Sequence, residues 1–321
     1  MTLGEVQGLD GKAVLVTGGA GFIGSHLVEA VAAAGAKVTV VDDLRTGSRT
    51  NLKAVGASIE VLDEDVLGDR FSTLVKARRF DAIFHCAGNA YIPPSVEDPW
   101  NDFQANAVGT LKLLETLRRA AALARLVVFS SGAVYGDIDS GPIGEAAALD
   151  PISPYGVSKL AAERYAAVYA RLYGLRVASV RLFSVYGPRQ RKQVVYDFIQ
   201  RLRASPRELQ ALGDGSQVRD FNYVTDVVRA VTHIAAAGAL RGETYNVGTG
   251  EGWSIRDLVR VLCELMDIRP AVHWSGATRP GDPERWIVDA KRLRVLGWQP
   301  TVSFREGLSR TLVWYDATGA G

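Results

Sequence analysis

Residues 17–26 read TGGAGFIGSH, directly after the apolar run KAVLVTG (12–18) and at the head of the amphipathic segment IGSHLVEAVAAAG (23–35). A strand that turns over glycines straight into a helix leaves few folds open. Gly18, Gly21 and Gly24 have the spacing GxxGxxG, and Gly19, Gly21 and Gly24 also satisfy GxGxxG. Glycine there permits a tight turn, a close backbone approach to a diphosphate, and close packing of helix on strand. The free N–H groups and positive dipole end of the helix then face the phosphates. Asp42 stands eighteen residues after Gly24, at the end of KVTVVDD (37–43). A carboxylate there accepts hydrogen bonds from the adenosine ribose and repels a 2′-phosphate, which favours NAD over NADP. Arg45 nearby works against that preference. Asp65 is placed either to contact adenine or to serve an ordinary surface turn.

The β-rich runs 37–43, 57–65, 80–88, 124–132 and 175–187 follow, with helical patterns such as 106–123 between most of them. That alternation predicts an α/β fold, a doubly wound parallel sheet of the Rossmann kind. Ligands of such a sheet sit at the carboxyl ends of its strands. After about residue 188 the loops become rich in Pro, Gly and Arg, as in GPRQRKQ, LGDGSQVRD, YNVGTGEG and TRPGDPER. We expect residues 1–188 to form the nucleotide-binding domain and 189–321 mainly a smaller substrate domain. Helix 221–238 should pack back onto the first. A net charge of +2 gives no reason to expect nucleic acid or an anionic membrane as partner. No run of 18 apolar residues exists to span a bilayer. Cys86 and Cys263 lack metal-ligand spacing, so no metal is expected, and a reducing cytoplasm is the expected compartment.

One short stretch carries acid/base chemistry. In YGVSK (155–159), Tyr155 and Lys159 are four residues apart, hence on one face of a helix. Ser153 suits the N-cap and Pro154 the first helical position. Taken alone, the pair also fits an ordinary exposed helix. His26, His85 and the tryptophans 253, 274, 286 and 298 read as packing residues.

These segments, with FHCAG, NAVGT, SSGAVYG, RLFSVYGPRQ, GDGSQVRDF, YNVGTG and RPGD, occur in the order seen in extended short-chain dehydrogenase/reductases. The chain resembles that family over nearly its whole length, and within it the NAD-dependent nucleotide-sugar epimerases and dehydratases. The resemblance implies a tightly held NAD, contacted by Gly18, Gly21, Phe22, Ile23, Gly24, Asp42, Asp43, Leu44, Thr46 and Gly47. Asp65 and Val66 match the adenine-contacting pair, and Cys86, Ala87 and Gly88 the strand end beside the cofactor. Tyr155 matches the catalytic base, Lys159 its partner, and Ser131 the catalytic hydroxyl, with Ser130 as the alternative. Gln210, Arg219, Arg279 and Asp282 fall to the UDP-sugar. The helices at 100–122 and 155–173 resemble those that build a homodimer interface.

The chemistry is coherent. A free Tyr has a pKa of about 10, and a nearby ammonium favours its phenolate. Dehydratases of this family place an Asp-Glu pair after the catalytic hydroxyl, where this chain has Gly132 and Ala133. That predicts C4 inversion. Ser184 stands where most hexose epimerases have Asn, and Arg191 can hold a carboxylate bidentately. Together these resemble UDP-glucuronate 4-epimerases, with UDP-glucose or UDP-N-acetylglucosamine as the alternative substrates and a dehydratase or reductase beyond those.

Overall fold

Five apolar runs of the first half and two of the second build one parallel sheet. The computed structural model describes residues 8–138, 141–277 and 283–319. Its strands are β1 (Ala13–Thr17), β2 (Lys37–Asp42), β3 (Ile59–Asp63), β4 (Ala82–His85), β5 (Arg125–Ser131), β6 (Val177–Leu182) and β7 (Arg241–Val247). They lie in the order β3-β2-β1-β4-β5-β6-β7, all parallel. Helices are α1 (Phe22–Ala33), α2 (Asp69–Ala77), α3 (Gly109–Arg119), α4 (Pro154–Tyr173), α5 (Gln193–Ala204), α6 (Val224–Ala237), α7 (Ile255–Met266) and α8 (Phe304–Thr318). No helix among the described residues is long and apolar enough to cross a membrane.

Strand side chains alternate between two cores, as a period of two demands. Val14, Val16, Val38, Val40, Phe84 and Val127 pack beneath α1 and α6. Leu15, Val41, Ile83, Leu126 and Val128 pack on the other face, beneath Phe71 and Val75 of α2 and Leu113, Leu114 and Leu117 of α3. A third core joins α5, α7 and α8 through Ile199, Leu258, Leu262, Phe304 and Leu308, and forms a second lobe.

Three elements differ from the sequence reading. The run YNV (245–247), which the sequence places among loops, ends the seventh strand of the main sheet and is buried. The run 175–187, expected as a strand passing into a loop, leaves the strand at Leu182, where Asn222 captures the next carbonyls: its Nδ2 donates to Phe183 O at 3.3 Å and its N–H to Ser184 O at 3.0 Å. The helix whose periodicity begins at residue 106, and which the resemblance places at 100–122, starts at Pro99, capped by Asp98, whose carboxylate accepts from Asn101 N at 3.0 Å. It passes through a π-helical turn, Gln104–Val108, before becoming α3. The wider turn breaks the 3.6-residue period that would have revealed the earlier start.

Helix α4 begins as the sequence predicts. Ser153 Oγ accepts from Gly156 N at 3.1 Å, Pro154 occupies the first turn, and Gly174 closes the helix with φ +70°. Its middle is pinned to the sheet by charge. Glu163 pairs with Arg181 of β6, both 3% exposed, and Arg181 Nε donates to Glu163 Oε2 at 2.9 Å. Ser130 of β5 donates to the same oxygen at 3.1 Å. Arg181 also reaches Tyr135 Oη at 2.6 Å, and that hydroxyl donates to Asn246 of β7 at 2.8 Å. Breaking one partner of such a buried pair costs about 3–5 kcal/mol. Glu163→Ala should therefore lower the unfolding free energy by about that much in urea titration. A loss under about 1 kcal/mol, the worth of an exposed pair, would show that the pair does not anchor α4.

Candidate active site

The carboxyl ends of β1, β2 and β4 form a groove with the start of α1. Gly18 ends β1 with φ +67°, and a Cβ there would lie 2.7 Å from Ala87 N. A Cβ on Gly24 would collide with the carbonyl oxygen of Gly18. The first turn of α1 has no side-chain cap: Gly21 is the N-cap, and Phe22, Ile23 and Gly24 follow. Their amides have no partner within the helix, which suits a diphosphate.

Asp42 sits at the end of β2 and is 7% exposed. Its Oδ2 accepts from Ala20 N at 2.8 Å and its Oδ1 from Leu44 N at 2.9 Å. The carboxylate thus shapes the glycine turn as well as facing the groove, and each oxygen retains a lone pair for a ribose hydroxyl. Gly47 packs against it, while Thr46 is exposed. Arg45 is drawn away from a phosphate role: its Nε donates to Asp43 at 2.5 Å and its Nη2 to Asp65 at 3.2 Å. Asp65 also accepts from Leu67 N at 2.8 Å, and Val66 is buried beside Gly109. Uncapped amides, a backbone cradle and a strand-end carboxylate together fit a dinucleotide.

Deeper in, the structure brings Tyr155, Lys159 and Ser131 together. Tyr155 is 8% exposed, and the Ser131 side chain is close enough to favour its phenolate. Its backbone N–H donates to the buried Ser95 Oγ at 3.1 Å. Ser130 points to the opposite face and is committed to Glu163. Lys159 Nζ donates to Phe129 O at 3.1 Å and lies 5.8 Å from the Tyr155 ring centroid. Burial lowers Lys159 to about 8. Burial pushes the Tyr155 phenol up to about 12; Ser131 opposes this and Asp102 adds to it. Desolvation is the largest influence on the phenol, and Lys159 is not among the groups that shift it. His85 Nδ1 meets Thr17 Oγ1 at 2.8 Å, and burial takes its pKa down to about 3. Burial raises the Cys86 thiol.

Sequence reasoning missed the layer behind this cluster. Asp102, Asn106 and Ser158 are fully buried and joined by hydrogen bonds. NAVGT and YGVSK contain two of them, but nothing in the local pattern says that these helices face each other. The spacing of Asp102 and Asn106 by four, polar on an inward face, was the available signal.

The residues expected at the substrate are more dispersed. Ser184 is half-buried and Arg191 exposed. Arg219 donates to Val218 O at 3.0 Å, with its guanidinium 5.8 Å from the Trp286 ring. Gln210 is exposed on the strand Glu208–Ala211, and its carbonyl accepts from Arg201 at 2.9 Å. Arg279 and Asp282 lie outside the described residues.

A model of the NAD dependent epimerase/dehydratase family matches residues 14–248. The chain belongs to that family. A UDP-glucose 4-epimerase of Mycolicibacterium smegmatis is 37% identical over 310 residues, spanning 94% of this chain and 97% of that one. A UDP-glucuronate 4-epimerase of Thermodesulfobacterium geofontis is 32% identical, spanning 94% and 95%. The crystal structure of a Thermus thermophilus UDP-glucose 4-epimerase in complex with NAD matches with a TM-score of 0.87 at 36% identity, covering 95% of this chain and 99% of that one. The chain is thus an enzyme of the nucleotide-sugar epimerase/dehydratase kind, with NAD as cofactor.

The electrostatics give a direct test. In NAD-free protein, the tyrosinate absorbance of wild type minus Tyr155→Phe should show no titration below pH 10.0, the ordinary value for the phenol. A step well below it would mean that Lys159 already holds the phenolate.

Proposed function

We propose that the enzyme is a UDP-sugar 4-epimerase that inverts C4 through a 4-keto sugar, with UDP-glucuronate and UDP-galacturonate as its pair. The turn after Ser131 carries the choice of inversion over dehydration. Gly132 and Ala133 are buried there, and a Cβ on Gly132 would stand 2.9–3.0 Å from the Phe183 ring. An acidic side chain has no room at that position, so the wall offers no second acid/base pair for elimination.

Tyr155 Oη takes the proton of the C4 hydroxyl and later returns one. Ser131 holds the same sugar oxygen by hydrogen bond. Lys159 supplies positive charge close to the phenol. When bound, NAD accepts and returns the hydride of C4 and adds a positive ring next to Tyr155. Inversion requires the ketone to present its other face, so the sugar must turn while its diphosphate stays gripped. Arg219 is our candidate for that grip.

What supports a uronate is the loop after Ser184. Arg189 is committed to Glu29 and Ser25 of α1, whereas Arg191 and Lys192 are exposed. The relatives' names include both UDP-glucose and UDP-glucuronate epimerases. A panel of UDP-glucose, UDP-N-acetylglucosamine and UDP-glucuronate, scored for C4 configuration by NMR, tests the reading. Wild type should turn over UDP-glucuronate and Tyr155→Phe should not. Arg191→Ala should cost the uronate about tenfold or more in kcat/KM, the worth of a charge-assisted contact, and a neutral sugar much less. Equal losses, or turnover of UDP-glucose alone, would leave UDP-glucose as the substrate.

The same proposal includes a homodimer. Trp100 (68% exposed) and Phe103 are exposed on the helix Pro99–Phe103, Val96 on the short helix Ile92–Glu97 before it, and Val157, Tyr165 and Leu172 on α4. Apolar side chains exposed in this way suit a helical interface. Trp100→Glu should convert dimer to monomer in light scattering; a wild type already monomeric at micromolar concentration would refute it.

A further inference from the structure

Asp102 is wholly buried, and the reaction just described gives it no part. Its Oδ2 accepts from Ser158 Oγ at 2.5 Å and its Oδ1 from Asn106 Nδ2 at 3.1 Å. Among the described residues it makes no ion pair. A carboxylate taken out of water with two neutral donors is costly, so its retention calls for a compensating charge close by.

The geometry points to Lys159. Ser158, the residue before it on α4, is the donor of the short bond. Asn106 sits in the π-helical turn, and such turns recur at functional sites. Its Oδ1 has no hydrogen-bond partner. That oxygen crowds Gly88 (φ +137°), where a Cβ would stand 3.4 Å from Lys159 Nζ. The carboxamide that donates to Asp102 and the ammonium of Lys159 thus approach the same glycine.

Few other groups bear on Lys159. His85 and Cys86 come from the end of β4, and Tyr155 shares its helix. Burial keeps His85 neutral by lowering its pKa to about 3, and keeps the thiol and the phenol neutral by raising theirs. Glu163, further along α4, is spent on Arg181, and Asp42 acts on Cys86. Among the described residues, Asp102 is the carboxyl group that remains. It is the first influence opposing the burial that lowers Lys159 to about 8.

We infer that Asp102 is a positioning residue, the buried counter-charge that is tied to α4 through Ser158 and keeps Lys159 cationic close to Tyr155. This rests on the reading of Tyr155 and Lys159 as the acid/base pair. Removing the charge favours neutral Lys159 and also the phenolate, so both groups lose their protons at lower pH.

The test is the pH profile of kcat with the sugar nucleotide that wild type turns over. In Asp102→Asn both limbs should move to lower pH by about one unit, the size of a typical near-charge effect. Ser158→Ala loses the hydrogen bond but keeps the charge, and its limbs should stay in place. A reduced kcat with unmoved limbs in Asp102→Asn would make the residue a brace only and overturn the inference. Should Asp102→Asn fail to fold, the double variant Asp102→Asn/Lys159→Met decides. It should melt higher than Lys159→Met alone if the charges compensate each other, and no higher if they are independent, which also overturns it. Full turnover in Tyr155→Phe would instead refute the acid/base reading.

Discussion

The pair between Arg181 and Glu163 holds α4 against β5, β6 and β7, and the placement of Tyr155, Ser158 and Lys159 follows from it. A helix packed only by small residues can slide or roll on a sheet. Several buried hydrogen bonds that converge on two charged groups cannot be made in a second register. Ser153 fixes the start of the same helix from the other side. The site is therefore set between two anchors, one at the cap and one nearly three turns in.

Dryness is the second determinant. Burial shifts the phenol, the ammonium, the thiol and the imidazole all toward their neutral forms. The chain alone thus favours a protonated tyrosine, and in the function proposed above the work of making it a base falls to the cofactor's positive ring and to Lys159.

Much of this was legible in the sequence, for identifiable reasons. The glycine turn, Asp42 and the Ser153-Pro154 cap are local features, in which a few neighbouring residues meet a backbone need. The alternation of strands and helices fixed the parallel sheet. Contacts between distant segments were not legible. Arg45 lay next to Asp42 in sequence and suggested a conflict over the cofactor, yet Asp43 and Asp65 bind it. Ser130 and Ser131 differ only in which face of β5 they occupy, and Glu163 shows which is which. The π-helical turn hid the start of its helix because it adds a residue to a period that the eye expects to be constant.

The seventh strand has a consequence for how the protein assembles. The chain leaves the sheet at Leu182, builds part of the second lobe, and returns as α6 and β7. A piece ending near residue 188 would leave β6 as an open edge and uncover the α1 side of the sheet, where Val227, Val231 and Ile234 now pack. The main sheet is therefore completed only by residues that follow part of the second lobe in the chain. On a ribosome it must wait for some sixty further residues, about 247 in all, before its last strand can close it.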